Sequence, residues 1–183
     1  MDGGSIIMRI GYIWAKLMGK LTRSHQPIIN YFRRKGVRIG DECLICSDIS
    51  TPESFLISIG NDVTISSGVS LITHDYSSHL IIEGANNLYG RITIGNQCFI
   101  GENSTIMYGV TLCDKIVVAA GSVVTKSFSE QEIIIGGNPA KKIGTWEDYR
   151  RKYTDKATPN TKTMPFADVY ASLKNSDRYI VKR

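Results

Sequence analysis

Residues 94 to 123 read IGNQCF IGENST IMYGVT LCDKIV VAAGSV when broken into sixes. Each unit opens on an aliphatic residue: Ile94, Ile100, Ile106, Leu112 and Val118. Each holds a small or aliphatic residue in fifth place: Cys98, Ser104, Val110, Ile116 and Ser122. The fifth place of one unit and the first of the next are two residues apart, so they share one side of a short strand. Places two to four, rich in Gly, Asn, Asp and Ser, supply a turn. Gly68, Gly109 and Gly121 stand in fourth place, where glycine adopts a positive φ at little cost. Strand, corner, strand, corner describes a coil, and a six-residue period is the signature of a parallel β-helix. A helix would need apolar spacings of three and four, and a sandwich longer alternating strands with hairpin turns; neither fits.

The same phase extends backwards through Ile59-Gly-Asn-Asp-Val-Thr64 and Ile65-Ser-Ser-Gly-Val-Ser70 to Leu71, and less regularly through units at Ile39 and Ile45. It fails twice. Between Ile45 and Ile59 it slips around Pro52 and Glu53, which predicts a bulge or short loop. Between Leu71 and Ile94 the interruption is longer and carries a one-residue phase error that a continuous coil could not absorb. This predicts a loop extruded over residues 75–91, on the same side of the coil as the first slip. Repetitive coil is scaffolding, so chemistry is expected where the period breaks.

The segments ITHD (72–75), ITIGNQCFIG (92–101), VVAAGSVVTKSF (117–128) and GGNPAKKIG (136–144) resemble, in order and spacing, the hexapeptide-repeat acyltransferases. Within that family they are similar to sugar O-acetyltransferases of the galactoside, maltose and capsule or lipopolysaccharide type. The resemblance implies a mainly β fold, a left-handed parallel β-helix with three units per turn. Handedness rests on the resemblance alone, because left-handed crossovers run against the usual rule. It also implies a homotrimer with active sites between subunits, acetyl-CoA as co-substrate, and a sugar or glycan acceptor. No metal is expected.

His74 stands where the chain leaves the coil and is the candidate general base. Transfer of an acyl group from a thioester to a hydroxyl needs a group titrating near neutrality to take the hydroxyl proton, and imidazole suits that. Asp75 is open to three readings: orienting the ring, binding sugar hydroxyls, or capping the turn. Adjacent side chains on extended backbone diverge, which argues against a direct His74–Asp75 pair and leaves a backbone carbonyl as an alternative partner for the imidazole. No serine elbow is present and no Cys has a His beside it in register, so direct attack in a ternary complex is expected over covalent catalysis. His25 and His79 are read as surface or structural residues.

The resemblance assigns cofactor contacts to Phe99, Glu102, Ala120, Thr125, Lys126 and Lys141. Phe99 replaces a tryptophan found in several relatives, Glu102 and Ala120 match main-chain contacts, and the two lysines with Thr125 match the site for the CoA nucleotide and its phosphates. For the acceptor the candidates are Cys46, Asp48, Asp75, Asn87 and Tyr89. Cys46 departs from the asparagine of galactoside acetyltransferase.

The 183 residues fit one main domain with small appendages: a helical segment over 1–35, the β-helix over 36–144, and a C-terminal helix and tail over 145–183. The formal charge of +5 is spread along the chain apart from Arg33-Arg34-Lys35 and Arg150-Arg151-Lys152, so nucleic acid is not the expected partner. Cys43-Leu-Ile-Cys46 has the spacing of half a metal site but lacks a second half, and the period instead turns Cys43 and Cys98 inward as small residues. No disulfide framework appears, which favours a cytoplasmic location.

Ile6, Ile10, Ile13, Trp14, Leu17 and Leu21 recur at helical spacing, and this stripe is expected to pack on the domain or a neighbouring subunit, with membrane-surface association as the other reading. Thr145 reads as an N-cap, and Phe166, Val169, Tyr170 and Leu173, beyond Pro159 and Pro165, as a tail packing on a neighbour. Two further functions fit the scaffold. An N-acyltransferase of amino sugar nucleotides would use the same base and co-substrate, whereas a non-catalytic β-helix module of the carbonic-anhydrase-like kind would require a zinc-binding His cluster.

Overall fold

The six-residue period folds into strands of two to five residues separated by corners. A computed structural model describes residues 3–22, 24–159 and 166–175; Pro165 and the side chains of Ile6 and Phe166 fall outside these. Helices α1 (Gly3–Thr22) and α2 (Gln26–Arg34) precede a first coil containing β1 (Arg38–Ile39) and β2 (Leu44–Ile45). The second coil holds β3 (Ile57–Ile59), β4 (Thr64–Ile65) and β5 (Ser70–Leu71). The chain then leaves through β6 (His74–Asp75), a one-turn helix α3 (Ser78–Ile81) and β7 (Leu88–Tyr89). It returns as β8 (Ile92–Ile94), β9 (Phe99–Ile100) and β10 (Thr105–Ile106), then β11 (Thr111–Leu112), β12 (Ile116–Val118) and β13 (Val123–Val124), and ends the coil with β14 (Ile133–Gly136) and β15 (Lys141–Thr145).

Strands of successive coils stack into three sheets: β1-β3-β8-β11, β2-β4-β9-β12-β14-β15, and β5-β10-β13. Their pairings are parallel wherever the register is defined. Ile94 lies beside Leu112, Ile100 beside Val118 and Ile106 beside Val124, a stride of 18 residues and therefore three units per turn. The first coil takes 20, from Ile39 to Ile59. Between the second and third coils the stride is 35, from Ile59 to Ile94. Both surpluses are inserted before a return to the first sheet.

First-place residues such as Ile45, Ile65, Ile100, Ile106 and Leu112 are wholly buried along the axis. Each contributes roughly 2 kcal/mol by leaving water. Fifth-place residues, small or aliphatic, are buried beside them, from Ser104 to Ile116. Cys43 and Cys98 fill such places, and the Cys98 thiol donates to the carbonyl of Cys113 at 3.3 Å while burial pushes its pKa up to about 11. All four cysteines are free thiols, so the Cys43–Cys46 spacing carries no disulfide.

In the regular units the fourth place takes a positive φ with or without glycine: Gly109 and Gly121 have it, and so do Asp62, Gln97, Asn103 and Lys115. Glycine in second place answers a different constraint. A Cβ on Gly95 would lie 2.6 Å from the backbone N of Asp114 in the next coil. In third place, side chains bridge coils: Asn61 accepts from the N–H of Asp41 at 2.8 Å, Asn96 from Asn61 at 2.8 Å, and Asp114 from Asn96 at 2.7 Å.

Arg33 of α2 closes this corner at the first coil, donating to the carbonyls of Ile39 (2.9 Å) and Gly40 (2.7 Å) and pairing with Asp41 at 3.0 Å. Ile28, Ile29, Tyr31 and Phe32 of α2 are buried in the core. α1 packs on α2 through Gly11, where a Cβ would sit 3.0 Å from the Tyr31 ring, and Ala15 is buried. The expected packing of the apolar stripe is not met within the chain: Ile10, Ile13, Trp14, Leu17 and Leu21 all face solvent. Small residues on the other side let the two helices approach, and that contact sets how α1 is turned.

Residues 1–143 and 144–183 form two compact units. In the second, α4 (Trp146–Tyr153) starts at Thr145, whose Oγ1 accepts from the N–H of Asp148 at 3.1 Å. α5 (Phe166–Asn175) buries Val169 and exposes Tyr170.

The two glycine constraints separate experimentally. Gly95→Ala forces backbone apart and should cost about 1–3 kcal/mol. Gly121→Asn, at a corner with open space around the added Cβ and a φ that Asn tolerates, should cost less than about 1 kcal/mol. Urea denaturation of both variants checks the ranking.

Candidate active site

The two breaks in the period meet. His74 begins the extruded loop, and its Nδ1 lies 3.0 Å from Glu53 Oε2, which belongs to the bulge one coil earlier. Oε2 also accepts from the hydroxyls of Thr51 at 3.0 Å and Thr73 at 2.9 Å, and those two oxygens are 2.6 Å apart. Two hydroxyl protons serve three close contacts, so at least one threonine donates to the carboxylate at any moment.

Burial works against the charge of Glu53, but the hydrogen bonds from Thr73, His74 and Thr51 outweigh it, and its pKa lies below the ordinary value. An ionised carboxylate is acceptor only, which places a ring proton on Nδ1, so in the neutral imidazole the lone pair is on Nε2. The Glu53 side chain is 17% exposed and that of His74 is 39% exposed. The dyad is thus anchored below and open above.

Glu53, Thr51 and Thr73 carry no mark in the sequence beyond the phase slip. That slip is the one signal: both insertions precede the same sheet, and the 20-residue stride of the first coil brings Glu53 beside Thr73, next to His74. The ring is held by this carboxylate, not by a backbone carbonyl and not by Asp75.

Asp75 is engaged elsewhere. Its Oδ1 accepts from the N–H of Ser77 at 2.8 Å, an Asx turn, and its Oδ2 from the Tyr108 hydroxyl at 3.0 Å. The Ser77 bonds, then the one from Tyr108, hold its pKa below the usual carboxylate range. Asp75 therefore ties the root of the loop to the third coil through Tyr108, whose place in an unbroken unit gives it no mark in the sequence.

Across the antiparallel β6–β7 pair, His74 faces Tyr89 with ring centroids 6.0 Å apart. Asn87 donates to the Tyr89 hydroxyl at 3.0 Å. His74, Asp75, Asn87 and Tyr89 are thus brought together at one corner. His79 stacks on Tyr76 within the loop at 3.9 Å, and His25 precedes α2 as its N-cap residue.

Thr125 and Lys126 follow β13 at the same corner, two coils above His74, about 10 Å along the axis. Both are exposed, and the Lys126 ammonium lies 5.6 Å from the centre of the Phe128 ring. The other expected residues are elsewhere on the chain. Glu102 and Ala120 occupy the corner before the third sheet, where the Glu102 carbonyl accepts from the Gly121 N–H. Phe99 is exposed on the second sheet, and Lys141 lies on β15 of that sheet. Cys46 and Asp48 follow β2 and act electrostatically on Tyr12 of α1, raising its pKa behind the larger effect of burial. Among the described residues no hydrogen bond or ion pair joins either to His74. No group of three or more His, Cys, Asp or Glu among the described residues could hold a metal ion.

The depressed pKa of Glu53 makes a stability prediction. Its contribution is fully present above the ordinary Glu value of 4.5 and is lost as pH falls through the lower folded value. Urea denaturation between pH 3 and 6 should show a loss of stability on the acid side that is reduced in Glu53→Gln.

The family profile described as "Hexapeptide repeat of succinyl-transferase" matches residues 36–72 and 91–126, leaving out the extruded loop. Protein CapG of Staphylococcus aureus is 46% identical over 143 residues, covering 72% of this chain and 83% of that protein. Galactoside O-acetyltransferase of Escherichia coli (strain K12) is 27% identical over 129 residues, covering 70% and 63%. Among solved structures, a hexapeptide-repeat-containing acetyltransferase of Vibrio cholerae O1 biovar eltor, complexed with acetyl coenzyme A, superposes with a TM-score of 0.58 at 22% identity, covering 79% of this chain and 90% of that one.

Proposed function

The chain belongs to the hexapeptide-repeat acetyltransferase family, and on that footing we propose that it is a left-handed β-helix enzyme that moves the acetyl group of acetyl-CoA to a hydroxyl of a sugar or glycan precursor in surface polysaccharide synthesis. The observation that carries the mechanism is the contact between His74 and Glu53.

Acetyl-CoA supplies an activated thioester. The corner running from His74 past Tyr108 to Thr125 and Lys126 fits an elongated anionic molecule, with a cation at one end and the imidazole at the other. His74 Nε2 takes the proton of the acceptor hydroxyl as its oxygen attacks the acetyl carbon. Glu53, bonded to Nδ1–H, stabilises the imidazolium that forms. The same proton is then available to the departing CoA sulfur as the carbon–sulfur bond breaks, so His74 ends as it began. Asp75, Asn87 and Tyr89 border the imidazole, which supports a role in holding the acceptor.

Phe99, Glu102, Ala120 and Lys141 lie away from this corner on their own chain. That separation supports a homotrimer in which one subunit's His74 corner faces the next subunit's second sheet and its following corner. The loop adds support, since Leu80, Ile81 and Ile82 present apolar side chains to solvent in the single chain.

His74→Ala should lower kcat by about 10²–10⁴-fold with oligomeric state and CoA affinity nearly unchanged. Glu53→Gln should lower it by about tenfold or more and alter the pH dependence of the rate, because the ring loses its charged partner. An acceptor screen following product mass and free thiol tests both variants. Near-normal turnover by His74→Ala overturns the mechanism. Acetylation of amino sugars but of no hydroxyl acceptor replaces O-transfer by N-transfer.

A further inference from the structure

The exposed stripe of α1 has an unusual electrostatic setting. Residues 3 to 40 contain eight Lys and Arg and no Asp or Glu, while the whole chain is +5, so the rest of the protein is net −3. The positive charge of this protein therefore belongs to its N-terminal helices and first strand.

On a helical projection Ile10, Ile13, Trp14, Leu17 and Leu21 fall within a little over a quarter of the circumference. Trp14 is 60% exposed and Leu21 70% exposed. Gly11, Tyr12 and Ala15 lie on the other side, where α2 packs. Lys16 and Lys20 flank the stripe and are themselves exposed. On the opposite flank a groove between α1 and α2 is lined by Trp14, Ala15 and Met18 of α1 and by Asn30, Tyr31 and Arg34 of α2. An apolar strip carrying a tryptophan and bordered by ammonium and guanidinium groups has the two properties that hold a helix in the plane of a bilayer interface.

We propose that α1 with its basic surround is a membrane-docking face that binds the anionic surface of a lipid bilayer. Charge decides among possible occupants. A second copy of the chain offers a remaining surface of only −3, dispersed over some 140 residues, whereas an anionic leaflet offers dense charge together with hydrocarbon for the stripe. Nucleic acid would satisfy the cations and leave the five apolar side chains in water. No described helix is long and apolar enough to cross a membrane, so the association is one of lying on the surface.

The consequence for the enzyme is positional. α2 covers the first coil, Glu53 belongs to that coil and His74 to the second, so the dyad sits within about 10 Å, along the axis, of the helical cap. A membrane-bound enzyme would hold its reactive corner close to the interface, where a lipid-linked acceptor would present its sugar. The docking itself does not depend on that chemistry.

Co-sedimentation of the full chain with vesicles tests it. Vesicles of phosphatidylcholine with about 30% phosphatidylglycerol should bind the protein, those of phosphatidylcholine alone should bind it at least about tenfold more weakly, and raised salt should release it. In a Trp146→Phe background, which leaves Trp14 as the one tryptophan, emission should shift to the blue on binding. Leu17→Glu and the double variant Lys16→Glu/Lys20→Glu should each lower partitioning by at least about tenfold with CoA release from acetyl-CoA unchanged on a soluble acceptor. The proposal is overturned if the wild-type chain stays in the supernatant with anionic vesicles near 0.1 M salt, or if both variants bind as the parent does. It is equally overturned if Leu17→Glu dissociates the oligomer in the absence of lipid, which would assign the stripe to a second copy.

Discussion

Backbone contact between successive coils is the constraint on which everything else rests. Parallel strands in neighbouring coils bond directly to each other, and at Gly95 the next coil passes so close that a methyl group would meet its backbone. That proximity fixes which residues stack, because a coil cannot slide without losing its hydrogen bonds and turning its apolar residues outward. The first-place aliphatic column, the small or aliphatic fifth places and the bridging Asn61, Asn96 and Asp114 all follow this spacing.

In this regular scaffold a carboxylate meets an imidazole because two coils are interrupted at one corner. The surplus of two residues before Ile59 swings Glu53 out of the coil, and the longer surplus after Leu71 lifts the chain away just beyond His74. Neither side chain needs its own strand to hold it. The carboxylate is fixed by Thr51 and Thr73, one from each coil, so the spacing between coils sets the spacing between carboxylate and imidazole.

The coil was legible because its determinants are local and repeated: an apolar residue, a turn and a small residue recur every six positions, and the register follows by counting. The inward placing of Cys43 and Cys98 follows from the same count. The fourth-place corners were only half legible, since glycine advertises a positive φ at Gly109 and Gly121, whereas Lys115 and Asp62 adopt it with side chains that do not announce it. His74 could be singled out by its place at the break, but Glu53 could not, because its partner lies 21 residues away across a coil boundary. The apolar stripe of α1 was visible as a stripe. Which way it faced depended on Gly11 and Ala15, two small residues that hydrophobic periodicity ignores.

The closure of the first coil by Arg33 bears on what this protein does not become. Successive coils exchange N–H and carbonyl groups, the N–H of Gly40 donating to the carbonyl of Ile59 and that of Asp62 to the carbonyl of Asp41, so an uncovered end is a template for another molecule's strand and, repeated, for a filament. At the corner below Ile39 and Gly40 those carbonyls are already occupied by a guanidinium that also neutralises Asp41. A side chain from a helix thus terminates there a stacking pattern that the coil itself has no means of ending.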